Sequence, residues 1–211
     1  MTKIFKIVSC IMIFSSYETS FAQLKSFEYD LFVKLGILQS QGNYAFNGKP
    51  VPNFQAGVYI MSPELFSNFK IVSGLGFSYF QGDNETEFIL DLDQNYDVKT
   101  NSKEKYLFLS VPFLFQYQIH NLSFVLGPNI SYLLLEDYSF DYEINPSTND
   151  LQIFYPNETR SLYLGSEIGI MYDFGKIKFN LNYNYFFSSL YTSELVDSKL
   201  YGLNFGLLYK L

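Results

Sequence analysis

Acid–base, nucleophilic and metal chemistry most often fall to histidine, cysteine and clustered carboxylates, and this chain offers one His and one Cys. A general base must lie within hydrogen-bond reach of its partners. His120 stands beside Asn121 between two strand-like runs, so a solvated turn residue is expected there. Cys10 falls in the leader described below, which leaves the mature chain without a disulfide or a thiolate ligand. No glycine-rich phosphate loop, metal-spaced His cluster or nucleophile elbow occurs. Asp91, Asp93, Asn95 and Asp97 alternate as in a calcium loop, but Tyr96 stands where the turn glycine belongs and Ser102 where the closing Glu belongs. A solvated acidic loop is expected instead. The sequence therefore predicts a non-enzymatic protein with no catalytic residue, metal site or cofactor.

Charges do recur with a period of two. Glu28, Asp30, Lys34, Lys70, Glu167, Asp173, Lys178 and Lys210 all fall on the polar side of alternating segments. Mixed sign on one face predicts an internal network of ion pairs and hydrogen bonds. An ion path is the competing reading, but the interior of an eight-stranded barrel is only wide enough to be filled by side chains.

The segments that must position these charges are most plainly seen from Leu162 to Phe187. Leu162, Leu164, Ile168, Ile170, Tyr172 and Phe174 alternate with polar or small residues. After the Gly175-Lys176 turn, Ile177, Phe179, Leu181, Tyr183, Tyr185 and Phe187 alternate with Lys178, Asn180, Asn182 and Asn184. Six further runs share the pattern: Phe27–Gln39, Phe54–Met61, Phe69–Phe80, Lys105–Ile119, Leu122–Leu134 and Tyr201–Leu211. Pro112 and Pro128 fall within strands and cost ladder bonds, so a bulge near each is expected.

The connections alternate in length. Ser40–Pro52, Gln81–Lys103, Glu136–Arg160 and Ser188–Ser198 are long, whereas the turns at Ser62–Glu64, His120–Asn121 and Gly175–Lys176 are short. Outer-membrane barrels pair short periplasmic turns with longer outer loops. The expected fold is all-β, an eight-stranded antiparallel up-and-down transmembrane β-barrel, with both termini periplasmic.

Composition agrees. Aromatic residues make up 20% of the chain and charged residues only 17%, with 19 Tyr, 23 Phe and no Trp. A soluble domain carries about 25% charged residues. Lys3 and Lys6, the apolar Ile7–Phe14 and the small-x-small ending Ser20-Phe21-Ala22 read as a secretory signal over residues 1–22, followed by a barrel domain over 23–211. Loss of Lys3, Lys6 and Glu18 takes the net charge from −7 to −8, which speaks against nucleic acid as a partner.

Two runs carry a family likeness: Tyr106-Leu107-Phe108-Leu109-Ser110-Val111-Pro112-Phe113-Leu114-Phe115, and Phe124-Val125-Leu126-Gly127-Pro128-Asn129-Ile130-Ser131-Tyr132-Leu133-Leu134. With the glycine-spaced aromatic strand Tyr201–Leu211, they resemble the PorT-like outer-membrane β-barrel family of Bacteroidetes. The chain departs from the common pattern of such barrels by ending in Leu211 and not in an aromatic residue. The resemblance implies a bacterial outer-membrane location; the family includes a component associated with type IX secretion.

Recognition is expected in the long connections, on a surface of Phe88, Asp91, Asp93, Tyr96, Asp97, Phe140, Tyr142, Phe154 and Tyr155. The expected partners are outer-membrane lipid, the barrel assembly machinery, and envelope or secretion proteins. Two rival readings stand beside this one. A soluble secreted barrel would turn the apolar face inward around an apolar ligand, and an outer-membrane enzyme would need a base in its outer loops.

Overall fold

A computed structural model describes residues 27–41, 49–91, 95–145, 159–190 and 198–211. Eight strands close into one antiparallel barrel in chain order: β1 Glu28–Gln41, β2 Val51–Met61, β3 Phe69–Asp91, β4 Asn95–Ile119, β5 Leu122–Asn145, β6 Leu162–Asp173, β7 Ile177–Ser189 and β8 Lys199–Lys210. The seam is the pairing of β1 with β8, which runs from Asp30↔Lys210 to Gln41↔Lys199. Residues 1–22, expected above to be a secretory signal, lie outside the described part of the chain.

Alternation decides which face lines the barrel. Leu35, Phe115, Leu126 and Phe205 are 63, 62, 57 and 53% exposed, and their neighbours Lys34, Leu114, Val125 and Asn204 are buried. The apolar face is outside. The soluble reading, which needs that face inside, is thereby contradicted.

The tight turns lie at one end, hereafter the inner end, with the start of β1 and the end of β8. His120 adopts a left-handed φ of 54° at the tip between β4 and β5, with Gln118 Nε2 donating to its carbonyl. Gly175 takes a φ of +96° between β6 and β7, and its N–H donates to Asp173 Oδ1 at 2.6 Å.

At the other, outer end the structure corrects the expected loops. Most of Gln81–Lys103 and the first part of Glu136–Arg160 are strand, so β3, β4 and β5 continue well past their neighbours. The paired register of β3 and β4 reaches Asp91↔Asn95, and that of β4 and β5 reaches Asp97↔Asn145. By contrast β2 pairs with β3 only up to Asn53↔Phe80, and β6 with β5 only up to Leu162↔Tyr132. From Gly82 to Asp91 the extension carries about 30 Å of strand, at roughly 3.3 Å per residue.

The prolines also depart from expectation. The register is the same on both sides of Pro112 and Pro128, so neither sits at a bulge. Ser73 Oγ donates to the Pro112 carbonyl across the strand gap. The shifts fall between Leu107 and Phe108 and between Tyr185 and Ser189. At the first, Leu107 faces Leu135 and Phe108 faces Leu133, which leaves Leu134 as the extra residue, and Leu134 and Leu135 are both exposed.

Glycines make room where the lumen is tightest. A Cβ at Gly57 or at Gly76 would come within 2.8 Å of Phe32 Cζ, so this ring occupies the space that two side chains would otherwise fill. Overpacking of this kind costs about 1–3 kcal/mol. Gly76→Val is expected to lose that much in urea unfolding, and Phe32→Leu in the same chain to recover part of it; strictly additive losses would show that the ring and the glycine do not share the space.

Candidate functional site

The lumen is filled in layers. At the inner mouth Lys70 Nζ donates to Glu28 Oε1 at 2.9 Å, and Lys210 stands 3.7 Å from Glu28 Oε2. Deeper, Lys178 Nζ meets Asp30 Oδ2 at 2.6 Å, with both side chains buried. Phe32, Tyr59, Met61, Val72, Leu114, Val125, Met171 and Leu208 form an apolar layer around this level. Near it Lys34 Nζ donates to Glu167 Oε1 at 2.9 Å and to the Tyr59 hydroxyl oxygen at 2.6 Å. Lys34 and Glu167 are 1 and 3% exposed. The ammonium also lies 5.2 Å from the Phe32 ring centre and 5.1 Å from that of Tyr59, within cation–π range.

Neutral polar pairs follow. Asn53 Nδ2 donates to Asn204 Oδ1 at 2.8 Å, Ser78 Oγ to Asn53 Oδ1 at 2.9 Å, and the hydroxyls of Ser110 and Ser131 are 2.7 Å apart. An aromatic layer closes the outer end: Leu38, Val51, Phe80, Tyr106, Phe108, Tyr163, Leu190 and Leu200. Leu190 enters from the β7–β8 connection, and its carbonyl accepts from Tyr163 Oη at 3.0 Å.

Six of the eight charges expected in the lumen are joined in pairs: Lys34 with Glu167, Lys178 with Asp30, and Lys70 with Glu28. Lys210 is half-exposed at the mouth, where it faces Glu28. Asp173 is the exception. It binds the Gly175 N–H, so it belongs to the β6–β7 turn and to the rim of the inner mouth. Between the layers the space beside Lys34, Tyr59 and Glu167 measures about 30 Å³. Space open to water centres of roughly 10–15 Å³ already holds one water, so this gap takes a few waters at most.

The outer surface residues are rearranged more. Phe88 and Asp91 are on β3, Tyr96 and Asp97 on β4, and Phe140 and Tyr142 on β5, so they belong to a sheet and not to loops. Asp97 and Tyr142 are exposed. Asp93, Phe154 and Tyr155 lie outside the described residues. Of the calcium-like run, Asp91 is therefore the end of one strand, and Asn95 and Asp97 belong to the start of the next.

Sequence reasoning missed the residues that organise this sheet. Lys105, Lys103 and Lys99 occupy alternate positions of the middle strand, opposite Gln81, Asp83 and Glu87 of β3 and opposite Asp137, Ser139 and Glu143 of β5. Lys105 Nζ donates to Asp137 Oδ2 at 2.7 Å, and that bond holds the ammonium above its ordinary range. The opposite row of β4, Val98, Ser102 and Glu104, is buried. Glu104 accepts from Tyr106 Oη at 3.0 Å. A basic strand between two acidic ones was the legible signal, since opposite charges across a ladder stabilise one register.

No family model matches the chain, and no curated protein matches it. Among solved structures, the chain is similar to Neisserial surface protein A at 8% identity, over 89% of this chain and 100% of that one, with a TM-score of 0.48. It is also similar to Ail, the attachment invasion locus protein of Yersinia pestis, at 12% identity, over 89% and 100%, with a TM-score of 0.41. For the outer membrane enzyme PagL the values are 12% identity, 84% and 97%, and 0.39. At such identities and scores the likeness says nothing of function.

A buried ion pair that loses one partner leaves a charge uncompensated, at a cost of about 3–5 kcal/mol, whereas replacing both partners is often neutral. Lys34→Met and Glu167→Met are each expected to cost that much in a folding titration, and the double variant far less; two additive losses would mean that the pair is not coupled. The filled lumen further predicts bilayer conductance at background for the pure protein. Stable single-channel steps would show that the layers open.

Proposed function

We propose that this chain is an integral outer-membrane β-barrel of a bacterial envelope, in which the wall is an anchor and the tall β3–β4–β5 sheet recognises other molecules without catalysis. The observation that carries this reading is the outward face of the closed barrel. From Tyr29 to Ile37 on β1, from Phe113 to Ile119 on β4 and from Leu203 to Tyr209 on β8, the exposed row is apolar or aromatic. Such a belt is stable when lipid covers it, because every strand in the wall has a neighbour on each side and no backbone edge faces hydrocarbon.

The inner end, with tight turns and both strand termini, is the periplasmic side in this reading, and the extension stands outside the cell. A non-catalytic role is supported by the placement of His120 on an inner turn, far from the exposed sheet. Among the described residues the central space of the lumen measures only about 30 Å³, too little for an apolar ligand. The resemblance to PorT-like barrels fits the same envelope setting, with secretion or other envelope proteins as partners.

Because Gln81 and Lys105 are register partners, the β3–β4 hairpin can be shortened by replacing Gly82–Glu104 with a short Gly/Ser turn. The shortened protein is expected to reach the outer-membrane fraction and to keep heat-modifiable migration, while losing partner capture and its envelope phenotype. Recovery of the intact chain from a soluble fraction without detergent would contradict the membrane reading. A shortened barrel that keeps every partner and phenotype would contradict the role given to the extension.

A further inference from the structure

We propose that the edge of β3 from Gly82 to Asp91, with the groove at its foot, docks an extended polypeptide of another protein that carries basic residues at alternate positions. The added segment becomes a fourth strand beside β3, β4 and β5. This inference rests on the reading that the extension recognises partners, and it names their class.

The first observation is the end of pairing. β2 follows β3 only to Asn53↔Phe80, whereas β4 accompanies it to Asp91↔Asn95. Pro50 and Pro52 stand where β2 would continue, and proline has no N–H to offer a ladder. Among the described residues no strand lies on the far side of β3 beyond Phe80. A strand edge of this kind is a template for strand addition.

The second is the notch left where β3 parts from β2. It is an open groove of about 580 Å³ whose lining includes Lys49, Pro52, Phe54, Tyr79, Gln81 and Asp83. Phe54 and Tyr79 belong to the outward apolar belt, so the groove offers an apolar floor to a side chain at the end of the docked strand.

The third is charge. Asp83, Glu85 and Glu87 hold alternate positions of β3, and on its other edge Lys103 and Lys99 of β4 are the register partners of Asp83 and Glu87. A second copy of this chain is the wrong occupant. Joining two β3 edges would set carboxylates against carboxylates, and like charges directly opposite destabilise a ladder.

The probe is a dye-labelled synthetic peptide with the β4 sequence from Asp97 to Tyr106, added at low salt to the folded full chain in detergent micelles and followed by anisotropy. Saturable binding is expected. It should weaken at least tenfold when alternate backbone nitrogens of the peptide are methylated, because methylation removes donors and leaves the charges. It should weaken as much toward the barrel shortened between Gln81 and Lys105. Asp83→Lys with Glu87→Lys should reject the peptide and accept one whose three lysines are glutamates. The methylated peptide and the shortened barrel keep the test valid if this double variant does not fold. No binding, equal binding of the methylated peptide, equal binding to the shortened barrel, or a dimer formed through this edge would each overturn the proposal. None of these results touches the broader role of the extension, which falls only if the shortened barrel keeps its partners and phenotype.

Discussion

The last strand pairs with the first, and the rest of the architecture depends on that seam. β8 runs antiparallel to β1 from Lys210↔Asp30 to Lys199↔Gln41, and beyond it the Leu211 N–H still donates to the Tyr29 carbonyl at 2.9 Å. In hydrocarbon an unpaired backbone group costs several kcal/mol, and closure is the only way a sheet avoids it. Closure with eight strands also fixes the bore. The inside is then narrow enough for side chains from opposite walls to meet, as Lys34 of β1 meets Glu167 of β6.

A narrow bore makes the polar contents demanding. A buried ammonium or carboxylate must be paired and hydrogen-bonded, and Lys34 achieves this with one carboxylate, one phenol and two ring faces. Around these pairs the aromatic rings at the outer end and Phe32, Met61 and Met171 toward the inner end fill what the glycines leave open. The wall thus has an interior built like a core turned polar at intervals, and an exterior built for lipid. In the function proposed, recognition falls to the part that rises beyond the wall.

The sequence made the wall legible because alternation there is one of hydrophobicity. Strands β6, β7 and β8 match the predicted runs to within a few residues, and the lysines and carboxylates of the polar face meet as partners inside. The upper halves of β3, β4 and β5 were missed, because their alternation is one of charge sign and of polar against aromatic residues, a signal that shows only when the three strands are set side by side. Residues such as Asp83, Asn84, Glu85 and Thr86 read as a loop when each strand is taken alone. The extra residue Leu134 added to the difficulty, since it turns two consecutive leucines outward and breaks the period of two just where β5 leaves the wall. Leu190 was missed for a different reason: a single leucine in a polar connection carries no periodic signal, and its place in the lumen comes from packing against Tyr163.

The central claim is that lipid covers the apolar face of a closed barrel. Cys10 is the chain's only cysteine, so with Cys10→Ser the chain accepts single labels on β8 without interference. Leu203→Cys, Phe205→Cys, Leu207→Cys, Asn204→Cys and Leu208→Cys, each carrying a small fluorophore in refolded proteoliposomes, can be compared for quenching by lipids brominated on the acyl chain. The account predicts strong quenching at 203, 205 and 207 and almost none at 204 and 208. Equal quenching at all five positions, or quenching at 204 and 208 alone, would contradict it.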